Sequence, residues 1–166
     1  LPLPADDHHY LRKLFEHAAY GIYRHYLVPE GWKVKHGPRQ RWDISAASEG
    51  VMAVLPNMQL DIVLEHAGPG GGEARRIVID TKFTSVTKAS QYRAATLSSG
   101  YVYQIYSYLM SQAALEGDHP SEGLMLHPVV DGHFDEEVVI QGRRIRFATV
   151  DLSAAGWKAA DDFLSA

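Results

Sequence analysis

Apolar side chains near the start of the chain recur with the spacing of an α-helix. The stripe consists of Leu11, Leu14, Phe15, Ala18 and Ile22. Asp6 and Asp7 can cap its first turn, and the proline and glycine of residues 29–31 interrupt the pattern after Leu27. We therefore predict a first helix that begins near Asp6 and ends near Leu27.

Shorter segments along the rest of the chain have the composition or alternation of β-strands. They are residues 32–36, 41–44, 58–65, 75–83, 123–130, 137–140 and 144–152. The two strongest candidates, residues 58–65 and 75–83, flank a glycine-rich segment that is typical of a hairpin loop. Residues 85–97 have no clear periodicity.

Two further helices are predicted in the second half of the chain. Residues 101–115 carry apolar side chains near one helical face. Ser153 can cap a last helix that extends through Phe163. The order of helix, strands, helix, strands and helix predicts an α/β or α+β layer fold with a mixed sheet flanked by helices.

Length and composition are those of one globular domain. The chain has 166 residues, of which 46% are hydrophobic and 22% are charged, so we treat residues 1–166 as a single domain. No stretch approaches the roughly 18 apolar residues of a membrane span, and no secretory signal is recognisable. We therefore expect a cytoplasmic protein without a membrane partner.

The charged residues set limits on the possible ligands. Without cysteine, a bound metal ion would need oxygen or imidazole ligands. The formal net charge of −4 counts against a nucleic-acid partner, but clustered basic residues are enough to contact phosphates. The clusters are Lys33, Lys35, Arg39 and Arg41; Arg75 and Arg76; and Arg143, Arg144 and Arg146.

An acidic and a basic residue lie at the end of the second strong strand. Side chains alternate along a strand, so Asp80 and Lys82 should share one face while Thr81 points away. Asp61 interrupts an apolar run in the neighbouring strand. Two carboxylates brought together repel each other unless a cation joins them, and Mg²⁺ prefers oxygen ligands. The alternative is a cross-strand ion pair on a solvated sheet face.

This set of residues meets the needs of phosphodiester hydrolysis. A Mg²⁺ held by Asp61 and Asp80, with the backbone carbonyl of Thr81 as a further ligand, would polarise the phosphoryl oxygen and activate a bound water. Lys82 would orient that water, help to deprotonate it and stabilise developing charge.

A glutamine and a tyrosine in the second predicted helix extend the candidate site. Gln104 and Tyr108 are one turn apart and share a helical face. Such a pair can reach the sheet edge that carries Asp80 and Lys82, and there contact a phosphate or the site water. The alternative is an amphipathic packing helix with a partly exposed tyrosine.

Several segments together resemble the McrC family, the nuclease subunit of 5-methylcytosine-specific restriction systems. They are residues 55–64, 77–83, 103–109 and 122–128, with a weaker match in residues 149–152. The resemblance implies a restriction-endonuclease-like core of the PD-(D/E)XK type. It implies that Asp61, Asp80 and Lys82 are the catalytic and metal-binding set and that Gln104 supports the site.

The resemblance also implies partners and cofactors. They are DNA, Mg²⁺ with Mn²⁺ as a substitute, and an McrB-like AAA+ GTPase that binds the GTP, since this chain has no P-loop. We expect the chain to be the C-terminal part of a longer McrC-like subunit. Cleavage of both strands needs two active sites, so dimerisation or the meeting of two complexes is expected.

Three positions qualify the resemblance. Leu60 stands where the motif name has proline, and Phe83-Thr84 replaces the aromatic pair that is common after the lysine. In many nucleases of this superfamily an early helix lends an acidic residue to the metal site, and Glu16 is the candidate here. Glu16 would otherwise pair with Arg12, one turn away.

Two other functions remain open at this point. A RecB-like repair nuclease shares the Gln-x-x-x-Tyr pattern of Gln104 and Tyr108. A non-catalytic adaptor that binds DNA or a partner is favoured by the acidic net charge. The first function predicts a divalent-ion site at Asp61 and Asp80, and the adaptor predicts none.

Overall fold

Six strands form a mixed sheet that carries a helix on each face. The computed structural model describes residues 5–68, 72–88, 96–116, 119–130 and 132–153. The helices are α1 (Ala5–Leu27), α2 (Val51–Val54) and α3 (Ser99–Met110). The strands are β1 (Lys33–His36), β2 (Arg39–Gln40), β3 (Met58–Gln59), β4 (Ile62–His66), β5 (Arg75–Thr81), β6 (Thr87–Lys88), β7 (Thr96–Leu97), β8 (Glu122–Pro128), β9 (Asp135–Ile140) and β10 (Arg143–Val150).

The strand order of the large sheet is β1-β4-β5-β8-β10-β9. Strands β5, β8 and β10 are mutually parallel, while β1-β4, β4-β5 and β10-β9 are antiparallel pairs. Two small antiparallel sheets, β2-β3 and β6-β7, lie apart from the large one. The predicted mixed sheet flanked by helices is therefore confirmed.

Helix α1 covers one face of the sheet, but with a different stripe from the one predicted. Its buried apolar positions follow a four-residue spacing and are Phe15, Ala19, Tyr23 and Leu27. Leu14, which belonged to the predicted stripe, is 52% exposed, whereas Ala19 is 4% exposed. The prediction weighted large apolar side chains, whereas the sheet admits a small alanine and a tyrosine on the contacting ridge.

Helix α3 covers the opposite face. Its buried side chains, Ile105 and Leu109, pack with Val78, Met125 and residues from β3, β4 and β10. The helix ends at Met110, and only a short 3-10 turn (Ala113–Leu115) follows. The prediction of a helix over residues 101–115 was therefore correct in its position and too long at its end.

Most predicted strands are present, with two corrections. Residues 41–44 are exposed and contain no strand, so that prediction was wrong. The predicted strand of residues 58–65 is interrupted at Leu60 and Asp61 and forms β3, which pairs with β2, and then β4. Alternating apolar residues cannot reveal this break because both pieces bury apolar side chains.

The predicted hairpins β4-β5 and β9-β10 are confirmed. Gln141 and Gly142 join β9 to β10 with φ values of 50° and 76°, as a tight two-residue hairpin turn requires. Strands β6 and β7 form a further antiparallel pair within residues 85–97, where the sequence predicts no element.

The predicted last helix after Ser153 lies outside the described residues. In the described part of the chain, no helix combines the length and apolarity needed to cross a membrane.

Candidate functional site

Strands β4 and β5 bring the two predicted carboxylates to the same end of the sheet. Ile62 pairs with Ile79, so Asp61, just before β4, lies opposite the end of β5. The backbone nitrogen and Oγ1 of Thr81 both donate to Oδ2 of Asp61, at 2.8 and 2.9 Å. The register of the hairpin thus positions Asp61 beside Asp80.

The break in the chain before β4 gives Asp61 its orientation. Leu60 donates its backbone N–H to Pro38, and the Asp61 carbonyl accepts from Gly37. Both bonds tie residues 60–61 to the loop after β1 instead of to β5. Oδ2 of Asp61 is engaged by Thr81, while Oδ1 accepts no hydrogen bond from the described residues.

Asp80 and Lys82 form a buried ion pair. Oδ2 of Asp80 lies 2.6 Å from Nζ of Lys82, and the two side chains are 2% and 10% exposed. Strand β5 ends at Thr81, but Lys82 stays in line because its N–H donates to Leu126 of β8 at 2.9 Å. This burial excludes the alternative of a solvated ion pair on the sheet face.

Burial changes the acidity of Asp80. Loss of solvent, together with the nearby charge of Asp61, raises the pKa of Asp80 from 3.8 to about 6, although Lys82 and Arg12 oppose this. Apart from the Lys82 ammonium at 2.6 Å, no group in the described part of the chain contacts Oδ2 of Asp80 as a hydrogen-bond donor. A perturbed, unsatisfied carboxylate is typical of a functional site.

A half-buried acidic residue, Glu116, has a different hydrogen-bond environment from that of Asp80. Glu116 accepts from the backbone nitrogen of Ser121 at 3.1 Å, from the hydroxyl of Ser121, and from Arg143 at 2.6 Å. These bonds lower the pKa of Glu116, although burial alone would raise it. A structural carboxylate in this fold is therefore fully hydrogen-bonded, and Asp80 is not.

Helix α3 presents its predicted pair to the site. Nε2 of Gln104 donates to the hydroxyl of Tyr108 at 2.8 Å, which confirms that the two share a face. Burial raises the pKa of Tyr108, and the charges of Asp80 and Asp61 raise it further. The tyrosine hydroxyl is thus close enough to feel both carboxylates, as the predicted reach of this helix requires.

Two residues at the site were missed by the sequence analysis. Nζ of Lys82 lies 5.2 Å from the centre of the Tyr101 ring, a cation–π contact. His127 of β8 is buried and its Nδ1 lies 2.9 Å from the Thr84 carbonyl. Burial lowers the pKa of His127, and the positive charge of Lys82 lowers it further. Tyr101 is three residues before Gln104, so helical spacing could have predicted its place on the same face. The position of His127 depends on the β5-β8 register, which the sequence pattern does not reveal.

The hydrogen bonds of Glu16 are with Lys13 and His36. Its Oε1 is 2.9 Å from Nε2 of His36, and its Oε2 accepts from Lys13 at 2.7 Å. The partners are therefore Lys13 and His36 instead of the predicted Arg12. No set of three or more His, Asp or Glu positioned to hold a metal ion occurs among the described residues.

A divalent cation fits the remaining pair. Mg²⁺ keeps several waters and is commonly held by one or two carboxylates, so a third acidic side chain is not required. Its ligands would include Oδ1 of Asp61, which accepts no hydrogen bond from the described residues, and Oδ2 of Asp80, which contacts Nζ of Lys82 at 2.6 Å. A cation there would also relieve the repulsion that raises the pKa of Asp80.

The fold and site define an α/β protein with a buried carboxylate and lysine site at the end of its central strands. Over 112 residues the chain is 26% identical to the Type IV methyl-directed restriction enzyme EcoKMcrBC of Escherichia coli strain K12. The match covers 68% of this chain, and the chain spans 30% of the length of that enzyme. No family model matches the chain. The similarity supports a relationship to the McrBC restriction enzymes.

Proposed function

We propose that this chain carries the metal-dependent DNA endonuclease site of a modification-dependent restriction system. The observation that carries the proposal is the buried, unsatisfied carboxylate of Asp80 between Lys82 and Asp61. Burying charges costs free energy, so such a group persists where it has a ligand to bind or a reaction to perform. The similarity to a restriction enzyme supplies the biological setting.

The core is proposed to be of the PD-(D/E)XK type. Asp61 and Asp80 would hold Mg²⁺ or Mn²⁺, with the Thr81 carbonyl as a further ligand. The ion would supply Lewis-acid stabilisation of the phosphoryl oxygen and a more acidic water. Lys82 would orient that water against the scissile phosphate, help to deprotonate it and stabilise the developing charge.

The surrounding residues would prepare Lys82 for this role. The Tyr101 ring would restrain the ammonium group of Lys82. Because the pKa of His127 is lowered, its imidazole would be neutral and would not repel the lysine charge. Gln104 and Tyr108 form a joined pair of polar groups at the same place. They would hold a phosphate oxygen or the attacking water in position.

An McrB-like GTPase partner is proposed to activate cleavage. The relative matched here is named as a methyl-directed restriction enzyme. Because this chain spans a minor part of that enzyme, nucleotide hydrolysis and recognition of the modified base are assigned to other parts of the system. The same similarity favours restriction over a RecB-like repair role.

Metal binding and cleavage test the proposal directly. Calorimetry with Mn²⁺ would compare the native chain with Asp61→Asn, Asp80→Asn and the control Glu136→Gln, an exposed acidic residue on β9. We expect both aspartate variants to lose binding and the control to keep it. Nicking of supercoiled plasmid in Mn²⁺ should fall in parallel by about 10²-fold or more.

Two outcomes would reject the endonuclease proposal. One is full cleavage by Asp80→Asn. The other is a folded native chain that binds DNA but no divalent ion, with DNA and the GTPase partner present. The second outcome would establish the non-catalytic adaptor instead.

A further inference from the structure

A basic pocket lies along β4, on the sheet face that α3 covers. It extends from Leu60, next to Asp61, to Glu65 and Arg76 at the opposite end of the β4-β5 pair. It has a volume of about 520 Å³ and opens between β1, β2 and the segment after β2. Its charged and aromatic lining includes Lys35, Arg39, Arg41, Trp42, Glu65 and Arg76. Leu60 and Pro38, which orient Asp61 through their backbone hydrogen bond, also line it, so one end of the pocket adjoins the candidate site.

The pocket carries excess positive charge although the whole chain is acidic. Four cationic side chains line it against two carboxylates, those of Asp43 and Glu65. Glu65 is shared, since it lies 2.7 Å from Lys35 and 3.8 Å from Arg76. A concave surface with uncompensated cations concentrates the field that attracts an anionic ligand.

Two arginines supply this excess. Arg39 and Arg41 are exposed, and neither forms an ion pair within the described part of the chain. They flank Gln40, which is buried and donates to the Tyr108 carbonyl at 2.9 Å while accepting from Arg76 at 3.1 Å. The backbone that carries both arginines is therefore anchored to α3 and to the sheet.

The spacing of these arginines suits a polyanion. Two residues of chain span at most about 7 Å, comparable with the distance between neighbouring phosphates of one nucleic-acid strand. Trp42 follows directly; its Nε1 donates to the Pro56 carbonyl at 2.8 Å, which holds the ring while 39% of the residue stays exposed. A fixed aromatic face beside cations is suited to sugars and unpaired bases.

We propose that this basic pocket binds the DNA backbone, with Arg39 and Arg41 contacting consecutive phosphates of one strand. The identity of the ligand as DNA rests on the proposed function, but the binding itself does not require cleavage. Lys35 and Arg76 provide the positive wall behind these contacts, and Trp42 packs against the same strand.

Duplex binding without divalent ions tests this inference. Fluorescence anisotropy in EDTA would compare the native chain with Arg39→Gln/Arg41→Gln. The matched control is Arg24→Gln/Arg144→Gln, which removes the same charge from exposed positions on α1 and β10. We expect the pocket variant to lose affinity by about 10-fold or more and the control by less than about 3-fold. The slope of log K against log salt should fall by about 2 in the pocket variant.

The outcomes separate this inference from the endonuclease proposal. Equal affinities of the pocket and control variants, or a native chain that binds no duplex, would overturn the pocket. If the pocket variant loses DNA while the native chain binds no Mn²⁺, the pocket stands and the endonuclease proposal fails. If Mn²⁺-dependent cleavage is retained and DNA affinity is unchanged by Arg39→Gln/Arg41→Gln, only the pocket fails.

Discussion

Burial of the ion pair between Asp80 and Lys82 costs the folded state free energy of desolvation. The pair lies almost fully inside the protein, where the desolvation of two charges offsets much of their attraction. Asp61 adds a second negative charge, which raises the pKa of Asp80 further. A cation bound between Asp61 and Asp80 would reduce the repulsion between these two carboxylates.

The pKa of Asp80 predicts a pH-dependent penalty in the metal-free protein. The pKa of Asp80 is raised from 3.8 to about 6 in the folded state. The contribution of protonated Asp80 to the free energy of unfolding is therefore fully present below pH 3.8 and is lost as the pH rises through about 6. The ionised group then costs about 3 kcal/mol, of which about 2 kcal/mol develops between about pH 4.5 and 7.5. Urea unfolding in EDTA should show Asp80→Asn gaining that amount relative to the native chain over this range. An offset that does not change with pH would contradict the prediction.

Helix α3 is the element that joins the apolar core to the chemistry. One face buries Ile105 and Leu109. Another carries Tyr101, whose ring lies over the Lys82 ammonium, and Tyr108, whose pKa the charges of Asp80 and Asp61 raise. Its distance from the sheet is set at Gly123 of β8, where an added Cβ would lie 2.8 Å from Ile105 and 3.1 Å from Leu109. A side chain at this position would force the helix outward.

Gly123→Ala should therefore destabilise the fold and disturb the site together. Overpacking of this kind costs about 1–3 kcal/mol, measured as a lower free energy of unfolding in urea. Gly21→Ala is the matched control, since nothing lies within 4 Å of the added group on α1 and alanine favours a helix. We expect it to raise stability by up to about 1 kcal/mol. Equal effects of the two substitutions would show that α3 does not rest on Gly123.

Across the whole molecule, charge is distributed unevenly along the β4-β5 pair. The chain has a net charge of −4, yet the basic pocket extends along β4 from Leu60, next to Asp61. A divalent ion in the pair and phosphates in the pocket would each neutralise a local excess of opposite sign. Binding of either ligand should therefore stabilise the folded state as a whole.

Divalent ions should raise the thermal stability of the native chain. A ligand at about 100 times its Kd stabilises by about 2.7 kcal/mol. For a domain of this size that corresponds to a rise in Tm of about 5–10 °C. The rise should be larger at about pH 7.5 than at about pH 5, because at the lower pH a proton competes with the ion for the Asp80 carboxylate. Scanning calorimetry with Mn²⁺ would measure it; the same rise in Asp61→Asn would place the ion elsewhere.

Local pattern was enough to predict several features of the site. Alternation along β5 placed Asp80 and Lys82 together, and helical spacing paired Gln104 with Tyr108, because both rules depend on neighbours within one element. The role of Glu16 as a further metal ligand stays a prediction, but its hydrogen-bond partner was not predicted. Its partner His36 is 20 positions away, and spacing along one helix cannot reveal such a contact.

The amino-acid pattern alone was sufficient to predict the alternation of helices and strands, the hairpin between β4 and β5, and the carboxylates and lysine at its end. These follow from periodicity and turn composition, which are local properties. Long-range packing fixes the remaining features, which are the buried face of α1, the strand break before Asp61, and the positions of Tyr101 and His127 near Lys82. The burial that raises the pKa of Asp80 likewise exists only once both helices cover the sheet, because desolvation depends on every element packed around the group.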